Sequence, residues 1–200
     1  MKIIMVNKKR LGVSMIIIAL MVLMFGIQKE FKDKMKLTTL MQSNINSLKE
    51  YKALDGEVKY KLPSEWNTEE KTFQGDEIIY HNDFQSKDFK IHGFVEVWNM
   101  DEDLEDFLRR SEQISKKQNI IKNYKMEKEK INNTEWYSIN YLIEGPEKSN
   151  FRSSEYFKKY NNRLFRFSFF VREENFKENM PTIFKAIVQT STNPCILKSL

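Results

Sequence analysis

Residues 89–98 read FKIHGFVEVW. Phe89, Ile91, Gly93, Val95 and Val97 fall on one side of an extended chain, and Lys90, His92, Glu96 and Trp98 on the other. That is the two-residue period of a strand with one buried face. Upstream, Ile78, Tyr80 and Phe84 alternate in the same way, and the short link Gln85-Ser86-Lys87 predicts that the two strands form a hairpin. Further back, Glu57 to Leu62 alternates until Pro63-Ser64 stops it, and a polar loop follows as far as Gly75.

Downstream the period changes to 3.6. Leu104, Phe107, Leu108, Ser111 and Ile114 make one face of a helix over residues 102–118. Asp101 is its expected N-cap; Glu102 and Asp103 suit the positive end of the helix dipole, and Arg109, Arg110, Lys116 and Lys117 suit the far end. Strand signals then return. Tyr124 and Met126 mark a weak strand, Asn132-Asn133 a turn, and Tyr137, Ile139, Tyr141 and Ile143 a strong strand closed by Gly145-Pro146. Residues 153–160 and 163–172 flank Asn161-Asn162, which suits a tight hairpin, and Phe165, Phe167, Phe169 and Val171 give the last strand its apolar face. A final helix over residues 179–190 presents Met180, Ile183, Phe184, Ile187 and Val188, with Pro181 in its first turn. The expectation is an α+β fold: six or seven strands in meander order, an antiparallel sheet because the connections are short, flanked by helices.

Ahead of this domain, Leu11 to Ile27 carries no charge and follows Lys8-Lys9-Arg10. A bilayer core needs roughly 20 apolar residues as helix, with about 17 the lower limit. The segment lacks small residues at a cleavage position, so an uncleaved transmembrane signal anchor is expected. The organisation is then a basic tail at 1–10, a transmembrane helix at 11–27, a helical juxtamembrane stalk at 28–55, a domain at 56–192 and a C-terminal tail at 193–200. Leu37, Leu40, Met41, Ile45 and Leu48 recur at helical spacing within the stalk. Basic residues flank the anchor equally, but the upstream tail is short. The expected topology is a single-pass cell-membrane protein with a cytoplasmic N-terminus and an extracytoplasmic domain. Cys195 is the one cysteine, so no intrachain disulfide exists.

The net charge of +5 is not spread evenly. Residues 1–50 hold nine Lys and Arg against Glu30, Asp33 and Glu50, leaving 24 basic and 25 acidic residues beyond them. The domain is close to neutral, and bulk charge gives no support to a nucleic-acid partner.

Several stretches together resemble the PsbP-like superfamily, whose members include extrinsic photosystem subunits and membrane-anchored bacterial proteins. They are Tyr60-Lys61-Leu62-Pro63-Ser64-Glu65-Trp66, Ile91 to Trp98, Asp103-Leu104-Glu105-Asp106-Phe107-Leu108, and Phe167-Ser168-Phe169-Phe170-Val171 through Phe184 to Thr190. The resemblance covers Gly56 to Thr192. It implies an α/β/α-type sandwich around an antiparallel sheet, and binding or assembly functions without a shared catalytic motif.

No phosphate loop, nucleophile elbow, zinc box or HExxH pattern is present. His81 and His92 would be cross-strand neighbours in one register of the hairpin, and with Asp83 or Glu96 they are the candidates for a metal site, set against ordinary solvent-face or helix-covered histidines. The acids from Asp101 to Asp106 lack the glycine and alternation of a calcium loop and fit a helix start. Tyr156, Tyr160, Arg163 and Arg166 around the last hairpin, with Trp98 and Trp136 opposite their strands' apolar stripes, are candidate binding residues; the competing reading is that helices cover this second sheet face. No catalytic residue and no cofactor is assigned. The sequence therefore favours a non-catalytic, membrane-tethered binding or assembly module with a protein partner at the membrane surface. An exported enzyme with a non-local active site, or the same domain facing the cytoplasm, are the alternatives.

Overall fold

The computed structural model describes residues 47–118, 121–145 and 149–191. The expected membrane helix Leu11–Ile27, the basic tail, most of the stalk and the C-terminal tail lie outside the described residues. Among the described residues no helix is long and apolar enough to cross a membrane.

The elements run β1 (Leu48–Ala53), β2 (Val58–Pro63), β3 (Asn67–Glu70), β4 (Ile78–Gln85), β5 (Ile91–Asn99), α1 (Leu104–Gln118), β6 (Ile121–Ile131), β7 (Thr134–Glu144), β8 (Asn150–Tyr160), β9 (Arg163–Arg172) and α2 (Met180–Val188). Strands β3 to β9 form one seven-stranded sheet in the order β3-β4-β5-β9-β8-β7-β6, and β1-β2 is a separate two-stranded ribbon. Every pairing is antiparallel. The α+β class and the antiparallel sheet match expectation; the meander does not. β5 pairs with β9, and α1 carries the chain to the far edge at β6. Four strand spacings of about 4.8 Å make roughly 19 Å. A helix of 15 residues spans about 22 Å, so α1 is long enough to cross from β5 to β6.

One sheet face is the apolar one read from β5 and β9. Val95, Val97, Phe167, Phe169 and Val171 are fully buried there. α2 lies on it, with Phe184 stacked on Phe169 at 4.4 Å between ring centroids. The β1-β2 ribbon covers the same face, where Tyr60 meets Phe167 edge-on at 5.8 Å. Gly93 has no room for a side chain, because a Cβ there would lie 1.9 Å from the Ser168 carbonyl oxygen and 2.7 Å from Phe84 Cζ. The other face carries Tyr137, Ile139, Phe157 and Leu164, packed against Leu104 and Leu108 of α1.

Four local expectations are corrected. Residues 48–53 are a strand paired with β2, not the end of a helical stalk. Tyr51 stacks on Tyr60 at 5.5 Å and Ala53 is buried, so β1 belongs to the domain. Asn67–Glu70, within the expected loop, is an edge strand on β4. α1 starts two residues later than predicted: Asp103 Oδ1 accepts the Glu105 and Asp106 backbone N–H groups at 2.8 and 3.2 Å. Asp101 instead accepts the Asn162 side-chain amide at 2.6 Å. Finally, Phe89 is not a strand residue. It sits in the β4-β5 connection at φ 58°, where Ser86 N–H donates to the Ile91 carbonyl and Ile91 N–H to Ser86 Oγ. The two asparagine turns form as read, with Asn132, Asn133 and Asn161 at positive φ.

Candidate functional site

The face under α1 carries polar residues at positions that alternation directs inward. On β4 and β5, His81 pairs directly with Glu96; on β9 and β8, Arg166 pairs with Phe157 and Ser168 with Glu155. Glu96 and Glu155 are only 5% and 4% exposed. Buried charges persist only when partnered, and here they form a chain across four strands. His81 Nδ1 lies 2.8 Å from Glu96 Oε1 and Nε2 lies 2.8 Å from Asp83 Oδ1. Each ring nitrogen thus faces a carboxylate oxygen. Lys71 closes the chain beyond Asp83. Glu96 Oε2 accepts Trp98 Nε1–H at 3.0 Å and an Arg166 N–H at 3.3 Å. Arg166 Nε–H then donates to Glu155 Oε2 at 2.7 Å, which also accepts the Ser168 hydroxyl at 2.9 Å. Tyr141 donates to Glu155 Oε1 at 2.5 Å.

The chain leaves its mark on protonation. Burial pushes the Asp83 carboxyl up, but Lys71 and His81 outweigh it and hold the group below the usual carboxylate range. Burial pulls Arg166 down, and Glu155 and Glu96 more than reverse that. Burial raises the Tyr141 hydroxyl, with the Glu155 charge adding to it. These groups are spent on one another. The arrangement supplies no free nucleophile or base, and its chemistry is that of a rigid polar floor.

Two concavities adjoin this floor. Between α1 and the sheet lies a cavity of about 250 Å³, walled by Trp98, Phe107, Ile114, Tyr124, Phe157 and Leu164 and floored by Tyr141, Glu155 and Arg166. Burial and the Glu112 and Glu155 charges raise the Tyr124 hydroxyl. Towards β3, where α1 no longer lies over the sheet, a more open concavity of about 860 Å³ is lined by Asn67, Glu69, Gln85, His92, Phe94 and Phe170, among others. Its aromatic groups are layered: His92 stacks on Phe170 at 5.7 Å and meets Phe151 edge-on at 5.9 Å. Phe89 is 67% exposed, and Phe73, whose ring meets His81 edge-on at 5.0 Å, is 44% exposed.

The structure sorts the residues singled out by sequence. His81 and His92 are not cross-strand neighbours, since Glu96 lies opposite His81 and Gln85 opposite His92. His81 has both ring nitrogens engaged, and His92 is half-buried among phenylalanines. Among the described residues no group of three or more His, Cys, Asp or Glu side chains is arranged to hold a metal ion. Tyr156 and Trp136 are core residues against Phe169 and Phe167, not a recognition surface. Arg163 pairs with Glu57, and Tyr160 is partly exposed at the hairpin end. Trp98 and Arg166 do come together, at the polar floor. Sequence reasoning missed Glu155 and Tyr141 as its partners. The available signal was Arg166 and Ser168 on the inward side of β9, opposite the phenylalanine stripe, which demands a buried counter-charge.

No family model matches the chain, and no curated protein matches it. Among solved structures, it is similar to the solution structure of the cyanobacterial PsbP protein CyanoP from Synechocystis. The TM-score is 0.56 and the identity 12%, over 74% of this chain and 94% of that one. A crystal structure of a protein from Bacteroides thetaiotaomicron is also similar, with TM-score 0.50 and 14% identity, over 72% of this chain and 48% of that one. The match therefore spans about half of the Bacteroides protein. At such identities the likeness concerns architecture alone, and the chain has a PsbP-like α+β fold.

Proposed function

We propose that the chain is a membrane-tethered, non-catalytic binding or assembly module whose domain faces away from the cytoplasm. It takes a protein partner on the aromatic part of the sheet towards β3. The observation that carries this reading is Phe89, exposed and held in a left-handed backbone conformation in the β4-β5 connection, between Gln85 and His92 of the open concavity's lining. A bulky side chain at positive φ costs of order 1–3 kcal/mol, and such strain gathers at functional sites. Exposed aromatics around a concavity are what partner surfaces use. The mutual satisfaction of Glu155, Arg166, Glu96 and His81 supports a non-catalytic role, as does a PsbP-like fold. The apolar run Leu11–Ile27 and its basic flank support the tether.

The test is site-specific photocrosslinking in native membranes, with the crosslinker at Phe89 and, as control, at Lys130 on the opposite edge strand. The expected result is a discrete protein adduct from position 89 that is absent from position 130. Equal or absent adducts at the two positions would reject the surface. Protease treatment of intact cells tests the side: digestion of the domain supports export, and protection until lysis would place it in the cytoplasm.

A further inference from the structure

We propose that the cavity between α1 and the sheet is a binding site for a small uncharged molecule with a compact aromatic or apolar body and one hydroxyl- or amide-type group. The inference goes beyond the partner surface and does not depend on it.

Size sets the first limit. About 250 Å³ holds roughly eight waters at about 30 Å³ each, and it falls just under the ~300–1,000 Å³ of drug-sized sites. The ligand is fragment-sized. The walls set the second limit, since Trp98, Phe107, Tyr124 and Phe157 contribute four aromatic rings to the lining. Such walls favour a flat or compact apolar body.

Charge sets the third. Arg166 is held between Glu96 and Glu155, and Tyr141 donates to Glu155. At the mouth, Glu112 is paired with Lys116 at 2.6 Å, and the Lys116 ammonium also lies 5.2 Å from the Tyr124 ring centroid. Every charge on the lining already has an opposite partner. A ligand charge would be buried without one, which disfavours charged molecules. In contrast, the hydroxyls of Ser111, Ser115 and Tyr124 line the space without a hydrogen bond to any described residue. They can receive one polar group of an otherwise apolar molecule.

The experiment uses the full chain in lipid nanodiscs, with empty nanodiscs as blank, and saturation-transfer NMR observed on the probe. Benzyl alcohol, benzoate and benzylammonium share one ring and differ in charge. Benzyl alcohol should bind saturably above the blank, with both charged analogues at least about tenfold weaker. Ser111→Leu with Ser115→Leu fills the space from the helix side and should abolish binding while circular dichroism stays unchanged. Tyr124→Phe keeps the wall and removes one hydroxyl, so the affinity should fall about two- to tenfold, which remains readable if the double variant fails to fold. Absence of saturable binding, or binding unaffected by Tyr124→Phe and by a folded double variant, would overturn the site. Tighter binding of either charged probe would overturn the ligand class.

Discussion

The Arg166 guanidinium lies 4.8 Å from the Phe94 ring centroid and 5.5 Å from that of Phe157, with Glu96 and Glu155 supplying its counter-charges. Its side chain is 24% exposed, while both carboxylates are nearly sealed. Arg166→Met keeps the volume and strands two acids in the interior. Breaking a buried pair in this way costs about 3–5 kcal/mol, and a melting temperature lower by roughly 10 °C is expected. Adding Glu155→Gln should recover part of that loss, and a double variant no better than the single one would contradict the coupling. Gly93 poses the opposite problem. Gly93→Ala forces a methyl group against the Ser168 backbone and the Phe84 ring, and overpacking of this kind costs about 1–3 kcal/mol, readable as a reduced urea midpoint. At His92 the effect is one of pH. Burial, with the Arg172 charge adding to it, holds the ring's pKa below its usual 6.5. The unfolded chain then binds a proton at 6.5 that the folded chain refuses. The stability contribution is complete above that pH and falls as the pH drops towards the folded value. His92→Phe preserves the stack with Phe170 and should show a smaller loss of stability between pH 7.5 and 5.5 than the parent; an identical loss would remove His92 from the account.

Elements with a clean period were legible in the sequence, and those lacking one were not. The stripe of alternate phenylalanines and valine on β9 and the 3.6 period of α1 each bury one face, so both could be read directly. β3 is Asn-Thr-Glu-Glu with no apolar residue, and it exists because β4 offers it an edge. β1 is Leu-Lys-Glu-Tyr-Lys-Ala. Its Leu48 completes the helical spacing begun at Leu37, and nothing local reveals that β2 stands opposite with Tyr60. The polar floor was half legible: Arg166 announced itself on the inward side of β9 and the Asn161-Asn162 hairpin sets Glu155 of β8 beside it, whereas Glu96 could be matched to it only once β5 was known to pair with β9. The revised boundary at β1 has a direct consequence. A chain beginning at Gly56, where alternation starts, lacks the Tyr51–Tyr60 stack and leaves Val58 and Tyr60 unshielded by the ribbon's first strand. Losing an aromatic pair worth about 0.5–1.5 kcal/mol, together with buried apolar area, should make it about 2 kcal/mol less stable than a chain beginning at Ser47. Equal urea midpoints for the two chains would show that β1 is an ornament of the ribbon and not part of the domain.

At the scale of the whole molecule, the charge separates into two parts. The basic excess belongs to residues 1–50, and the 24 basic and 25 acidic residues beyond them leave the rest near neutrality. A near-neutral domain gains little from long-range attraction to an anionic lipid surface, so the expected tether is the apolar run itself and not electrostatics. Salt should therefore leave the full chain in the membrane fraction, whereas deletion of residues 11–27 should release it. Which side the domain occupies is a separate matter, because the basic counts on the two flanks of the run are equal. The sequence provides its own reporter, since Cys195 is the one thiol in the chain and lies on the domain side of the run. A membrane-impermeant maleimide applied to intact cells should label Cys195 if the domain is exported, and prior treatment with a permeant maleimide should block that labelling. If the impermeant reagent reacts only after lysis, the thiol lies in the cytoplasm. The partner sought through Phe89 would then have to be a cytoplasmic one.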